Sequence, residues 1–204
     1  MIAAQEALAR LRAGNKRFVD DSRRDGGSSE RRRLALVEGQ EPFAIILGCA
    51  DSRVPAEIVF DQGLGDLFVI RVAGNIVAPS QVASVEFAAE RYGSGLVVVL
   101  GHSQCGAILA TLDELKRAPM NRTRNLHSIV DRIRPAVEPL IGAAGVSPET
   151  LVHEAVRANI RASANHLRHA SEIVEQLIQT GSLLVVGAEY SLETGVVDFF
   201  DGVS

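Results

Sequence analysis

Short, wholly apolar runs alternate along the chain with longer segments in which apolar residues recur at helical spacing. Four runs stand out: Phe43 to Leu47, Leu67 to Val72, Leu96 to Gly101 and Leu183 to Ala188. Unbroken apolar character over five or six residues, rich in Val, Ile and Leu, describes strands buried on both faces of a parallel sheet. Helical patterns fill the intervals. Ile2 to Phe18 sets Leu8, Leu11 and Phe18 against Arg10, Arg12, Lys16 and Arg17, and Ser80 to Tyr92 carries Val82, Val85, Phe87 and Ala88 before Gly93 ends it. Pro55 to Gly63 reads as a short helix or turn, and a helix from about Ser103 to Arg117 follows the third strand. Ile129 to Ile141 is helical but interrupted by Pro135 and Pro139. Ser147 and Pro148 supply an N-cap and a first-turn proline for a long helix through Leu167, and Ser171 caps another to Thr180. Gly195 to Phe200 is the candidate for an antiparallel edge strand.

The expected fold is α/β: a mostly parallel central sheet of four strands, with a fifth antiparallel edge strand as an option, flanked by helices and preceded by an N-terminal helical arm. A chain of 204 residues, 47% of them hydrophobic, can bury one full core. Residues 1–204 therefore read as a single domain, with 1–35 forming the arm and a polar loop. That loop, from Asp20 to Arg33, holds Gly26-Gly27-Ser28-Ser29 and Arg31-Arg32-Arg33 and includes a helix start. The apolar stripe of the arm suits its own sheet and a partner subunit equally well. The polar connection from Lys116 to Asn125 reads as a mobile surface loop.

Composition narrows the function. A net charge of -4 and an aromatic content of 4% give neither the basic footprint nor the stacking platforms that nucleic acid requires. No apolar stretch approaches the roughly 18 residues of a membrane span. The start lacks the basic and apolar regions of a secretory signal, so a soluble cytoplasmic protein is expected.

Chemistry concentrates at two strand ends. The first strand delivers Cys49, Asp51 and Arg53; the third delivers His102 and Cys105. In open parallel sheets ligands collect beyond the carboxyl ends of the strands. The chain has only two cysteines and both fall here, so a disulfide competes with a metal site; the absence of a secretory signal favours reduced thiols. Cys49, His102 and Cys105 offer the sulfur and nitrogen donors that zinc takes in tetrahedral sites, and a helix N-terminus favours the thiolate of Cys105. Asp51 either closes the site as a fourth ligand or stands off it to accept a hydrogen bond from metal-bound water. Arg53, two residues on, can hold that carboxylate ionised and oriented; a plain surface ion pair is the alternative. The fourth strand ends in Ala188 and brings no ligand.

Cys49-Ala50-Asp51-Ser52-Arg53 and Gly101-His102-Ser103-Gln104-Cys105-Gly106 resemble the two signatures of beta-class carbonic anhydrases. The likeness extends through Arg71-Val72-Ala73-Gly74-Asn75 and broadly from the N-terminal helix to the fourth strand. The resemblance implies reversible hydration of carbon dioxide to bicarbonate and a proton. It implies one Zn2+ per subunit on Cys49, His102 and Cys105, a catalytic dyad of Asp51 and Arg53, and a homodimer or dimer of dimers in which the N-terminal helix is an exchanged arm. It also implies a substrate pocket: Gln40 beside the substrate, Phe68, Ala73 and Phe87 around it, and the Gly106 amide nearby. Core packing is the alternative for the three apolar members, and Phe87 stands where a tyrosine is common. Relatives with an allosteric bicarbonate lock carry a tryptophan three residues before the first zinc cysteine; Ile46 occupies that place, which removes the expectation of the lock.

The expected mechanism is attack of zinc-bound hydroxide on carbon dioxide, with Asp51 orienting the hydroxide and Arg53 keeping Asp51 charged. Two thiolates cancel the charge of the metal, so its water should be less acidic than at a three-histidine site, where the pKa is about 7, and activity should rise toward alkaline pH. His127, His153, His166 and His169 qualify as proton shuttles by residue type alone. The rival functions are hydrolysis of carbon disulfide or carbonyl sulfide on the same scaffold, and a non-catalytic redox module with Cys49 and Cys105 as switch thiols. Asp51 and Arg53 argue against the second.

Overall fold

The computed structural model describes residues 2–24, 27–116, 124–142 and 147–203. Its sheet contains β1 (Ala44–Gly48), β2 (Leu67–Arg71), β3 (Leu96–His102), β4 (Leu184–Tyr190) and β5 (Val197–Asp201), in the spatial order β2-β1-β3-β4-β5. The first four strands run parallel and β5 pairs antiparallel with β4. The option of a fifth, antiparallel edge strand is thus realised, starting two residues and ending one residue later than its sequence window. The chain leaves β1 outward to β2 and then returns past it to β3. The sheet therefore reverses direction between β1 and β3, the position at which neighbouring connections diverge and open a crevice.

Alternate residues of the strands enter two separate cores. Ile45, Leu47, Val97, Val99 and Val185 face one side, beneath α4 (Pro79–Tyr92), α5 (Gly106–Lys116), α6 (Arg124–Val137), α7 (Pro148–Arg168) and α8 (Glu172–Gln179). Ala44, Ile46, Val98, Leu100 and Val186 face the other, against α1 (Ala4–Val19) and α3 (Ala56–Val59). Burial on both faces is why these strands read as continuous apolar runs rather than as alternating ones.

The N-terminal arm lies on its own sheet. Ala7, Leu8 and Leu11 are buried with Ile46, Val98 and Phe60, and Asn15 fastens the helix by donating Nδ2 to the carbonyls of Val59 and Gly195 and accepting the Val197 amide at Oδ1. The apolar stripe is covered within the chain. Further on, α2 (Glu30–Ala35) starts where Ser29 Oγ caps the Arg32 amide; it buries no residue.

Several boundaries differ from expectation. Helix α6 begins at Arg124 and runs through Pro135, and only at Pro139 does a 3-10 turn, Glu138–Leu140, replace it. A proline costs a helix one amide bond, which this packed segment tolerates once. Strand β4 continues to Tyr190 because Glu189 and Tyr190 pair with Asp198 and Val197 of β5. Helix α5 starts at Gly106 rather than Ser103, since Ser103 and Gln104 form a turn after β3. The mobile loop expected over Lys116 to Asn125 lies largely outside the described residues. Among the described residues, no helix is long and apolar enough to cross a membrane.

Candidate metal centre

The divergence between β1 and β3 brings Cys49 and His102 side by side, and the turn after β3 adds Cys105. Gln104 makes that turn possible: its φ of 55° reverses the backbone in the left-handed region, which a non-glycine residue adopts at a cost. The donor atoms of Cys49, His102 and Cys105 all lie within 4.8 Å of one another, and all three residues are buried. The two Sγ atoms are 3.9 Å apart and the cysteines are free. A disulfide would need about 2.05 Å, whereas two sulfurs sharing a tetrahedral zinc at bond lengths of about 2.3 Å stand roughly 3.8 Å apart. The separation fits the metal and not the disulfide.

His102 is prepared in the same sense. Its Nδ1 donates to the Ser103 carbonyl at 2.8 Å, which fixes the tautomer and leaves a lone pair on Nε2. Nε2 is buried and, among the described residues, has no hydrogen-bond partner. An orphaned acceptor between two thiols costs free energy unless something binds it. The residues present therefore fit zinc.

Electrostatics separate the two thiols. Cys49 Sγ accepts from the Cys105 thiol and from the amides of Asp51 and Gly74, so its pKa is lowered despite burial. Its contact with the Gly74 amide, at 3.4 Å, depends on Gly74 being left-handed at φ 69°, where a Cβ would press on Ile133 and Ala107. Cys105 moves the other way, because it donates to Cys49 and is buried beside it. The amides of Ala107 and Ile108 at the start of α5 do favour its thiolate, as expected of a helix N-terminus, but the neighbouring sulfur outweighs them. Two thiolates this close repel, so without metal the pair retains one proton.

Asp51 stands beside the triad. Arg53 donates its backbone amide and Nε to Oδ1, at 3.0 and 2.9 Å, and Nη2 to Oδ2 at 2.8 Å. These bonds hold the carboxyl well below the usual carboxylate range. Oδ2 lies 3.8 Å from His102 Nε2. The group of residues able to share a metal comprises Cys49, His102 and Cys105, without Asp51.

The expected pocket residues fall in two places. Ala73 adjoins Gly74 in the 3-10 turn Ala73–Asn75, and Gly106 opens α5 directly after Cys105. Phe68, Phe87 and Tyr92 form an aromatic cluster with centroids 5.8 to 6.2 Å apart, and Gln40 Nε2 donates to the Tyr92 hydroxyl. Phe87 is exposed. Gln40 and Tyr92 line an open groove of about 900 Å³ whose walls include Arg10, Val37 and Arg91 and none of the three donor residues. The histidines named as shuttles pair elsewhere: His127 with Glu114, His153 with Glu154 and Glu189, and His169 with Glu175. Sequence reasoning missed the Ser103 carbonyl, the Gly74 amide and Arg71, which donates to the carbonyls of Cys49 and Asp51. The first two are main-chain groups and leave no side-chain signal; Arg71 was visible as a charge at the end of a buried strand.

A family model described as carbonic anhydrase matches residues 44–197, the span that holds the whole donor set. The chain belongs to the beta-carbonic anhydrase family. It is 38% identical over 195 residues to carbonic anhydrase 2 of Mycobacterium tuberculosis, covering 95% of this chain and 90% of that one. The carbonic anhydrase of Mycolicibacterium smegmatis is 37% identical over 198 residues, with coverage of 97% and 92%. Among solved structures, the beta-carbonic anhydrase CcaA superposes with a TM-score of 0.74 at 30% identity, over 97% of this chain and 96% of the other. Carbonic anhydrases are zinc lyases, and this beta-carbonic anhydrase is an enzyme of that class.

Proposed function

We propose that the protein catalyses the reversible hydration of carbon dioxide to bicarbonate and a proton, with one Zn2+ per subunit held by Cys49, His102 and Cys105. One observation carries this reading: the buried, unpartnered Nε2 of His102 sits between two thiols and 3.8 Å from a carboxylate oxygen of Asp51. Zinc, when bound, supplies a Lewis acid that makes water nucleophilic near neutral pH.

The chain's own residues do the rest. Asp51 is the hydrogen-bond acceptor beside the donor triad, and it stays ionised because Arg53 binds both of its oxygens. A fixed, charged acceptor can orient a reacting O–H and aim its lone pair at carbon dioxide. Arg53 is itself half exposed, so it positions Asp51 from the solvent side without crowding the triad. Ser103 holds His102 through its carbonyl. Ala73 and the Gly106 amide border the site in this reading, and Phe68, Phe87 and Gln40 contribute an aromatic and amide surface for the substrate.

Assembly as a homodimer or a dimer of dimers belongs to the same proposal. Two beta-carbonic anhydrases of Sordaria macrospora are described as tetrameric, and a chain of one of them shares this fold at a TM-score of 0.72 and 21% identity. Leu34, Val37 and Phe87 are exposed apolar residues that a second subunit would cover. A cytoplasmic setting agrees with two ligand cysteines that must remain thiols.

The test is stopped-flow hydration of carbon dioxide by the zinc-loaded protein, followed with a pH indicator from neutral to alkaline buffer. Fast hydration that climbs with pH supports the proposal. No hydration at any pH would overturn it and favour sulfur substrates or a non-catalytic role.

A further inference from the structure

The loop that carries Cys49, Asp51 and Arg53 is closed from the neighbouring strand by one side chain. Arg71 is the last residue of β2 and pairs in register with Gly48, so its guanidinium reaches forward over the loop. Nε donates to the Cys49 carbonyl at 3.1 Å and Nη2 to the Asp51 carbonyl at 2.6 Å. The parallel ladder continues beneath it, with the Val72 amide bonded to the Gly48 carbonyl and the Ala50 amide to the Val72 carbonyl. Two carbonyls, two residues apart, are thereby fixed by one planar fork, a geometry that Lys cannot reproduce.

The charge on Arg71 is not used to balance an acid. Among the described residues no carboxylate pairs with it, whereas Arg10 and Arg32 pair with Asp66, Arg17 with Asp61 and Arg53 with Asp51. Its hydrogen bonds go to the main chain of the residue that bears a metal donor and of the residue that bears the acceptor carboxylate.

We propose that Arg71 is a positioning residue of this site, setting the distance between the Cys49 sulfur and the Asp51 carboxylate through their backbones. The inference rests on the hydration reading for its effect on turnover, and on the loop geometry alone for its effect on metal retention. Orientation of Asp51 matters only as the reaction proceeds, so its loss lowers kcat and leaves KM in place. A merely structural arginine would instead lower thermal stability and the fraction of folded enzyme without changing turnover per bound zinc.

The experiment compares zinc-loaded Arg71→Ala, Arg71→Lys and, as a control on the exposed face of α2, Arg31→Ala. Stopped-flow hydration gives kcat and KM, and zinc release to excess dipicolinate gives metal retention without turnover. Arg71→Ala is expected to lose about 10–100-fold in kcat per bound zinc, to keep KM within about twofold, and to release zinc faster than wild type. Arg71→Lys recovers part of kcat through one carbonyl, and Arg31→Ala matches wild type. Wild-type kcat in Arg71→Ala, or a loss that vanishes when rates are expressed per bound zinc, overturns the proposal. If the alanine variant does not fold, Arg71→Lys decides: reduced kcat at unchanged KM supports it, wild-type kcat overturns it. If the wild-type protein hydrates nothing, the hydration reading fails by itself, and zinc release from Arg71→Ala at the wild-type rate would still overturn the role of Arg71.

Discussion

Asp51 Oδ2 lies 3.8 Å from the unpartnered Nε2 of His102, and Arg53 grips the same carboxylate from the opposite side. The acceptor is thus near enough to the donor triad to serve a group bound there, and it is committed elsewhere strongly enough not to join the triad. Arg53 Nη2 occupies one lone-pair direction of Oδ2, and the other remains for a donor at the metal site.

Replacing the carboxylate by its amide separates charge from shape. Asp51→Asn should keep zinc, since Asp51 is outside the donor set, and should lose about 100-fold in kcat/KM, a typical figure for a positioned proton-handling group. Arg53→Ala should lose less, because the carboxylate survives without its fork. The double variant should be no worse than Asp51→Asn, since Arg53 acts only through Asp51. Additive losses in stopped-flow hydration would show an independent role for Arg53.

The pH profile follows from the same pair. The folded-state pKa of Asp51 is depressed by Arg53, so the pair's contribution to stability is present above the unfolded value of about 3.9 and is lost as pH falls through the lower folded value. Asp51 is ionised throughout the working range with or without Arg53. Arg53→Ala should therefore lower the plateau of the rate profile without moving its rising limb, and that limb should lie toward alkaline pH because two thiolates temper the metal's charge. A limb displaced in Arg53→Ala would mean that the dyad itself titrates in the working range.

How far the sequence carried these conclusions depended on the kind of group involved. Runs such as Leu96 to Leu100 are buried on both faces, so their lack of alternation identified parallel strands, and the Cys and His at their ends announced the site. Helix α2 escaped a firm assignment because it buries no residue and so has no periodicity to read; its Ser29 cap was the only local signal. The end of β4 was set by pairing with β5, a contact between residues seven to nine apart that no single run encodes. The site's supporting bonds come from the Ser103 carbonyl and the Gly74 amide, groups that every residue possesses and that only the fold can place.

Zinc binding should release about one proton per chain rather than two. Hydrogen bonding from Cys105 and the nearby amides favours the thiolate at Cys49, while the neighbouring sulfur and burial keep on Cys105 the proton that the pair shares. Ligation requires both as thiolates. Titration of the metal-free protein with zinc in weak buffer at about pH 8, followed with an indicator dye, counts the protons directly. Release of two would mean that both sulfurs are protonated before the metal arrives. Removal of zinc should also lower the melting temperature, since the orphaned Nε2 and the shared proton return.

The seat of α1 can be tested apart from the chemistry. Asn15 makes three hydrogen bonds that join α1 to α3 and to the turn before β5, and it is buried. Asn15→Ala leaves the Gly195 carbonyl and the Val197 amide without that partner, at a cost of about 2–4 kcal/mol, which in a chain of this size lowers the melting temperature by roughly 5–15 °C. Gly14→Ala should act in the same direction, because its Cβ would run into the Phe60 carbonyl oxygen. Neither residue touches the donor triad, so hydration per folded, zinc-loaded molecule should stay at the wild-type rate. The decisive variable is concentration: an arm seated within its own chain makes the difference in melting temperature between wild type and Asn15→Ala independent of protein concentration, whereas an exchanged arm makes that difference widen on dilution. A widening gap would move the arm onto a partner subunit.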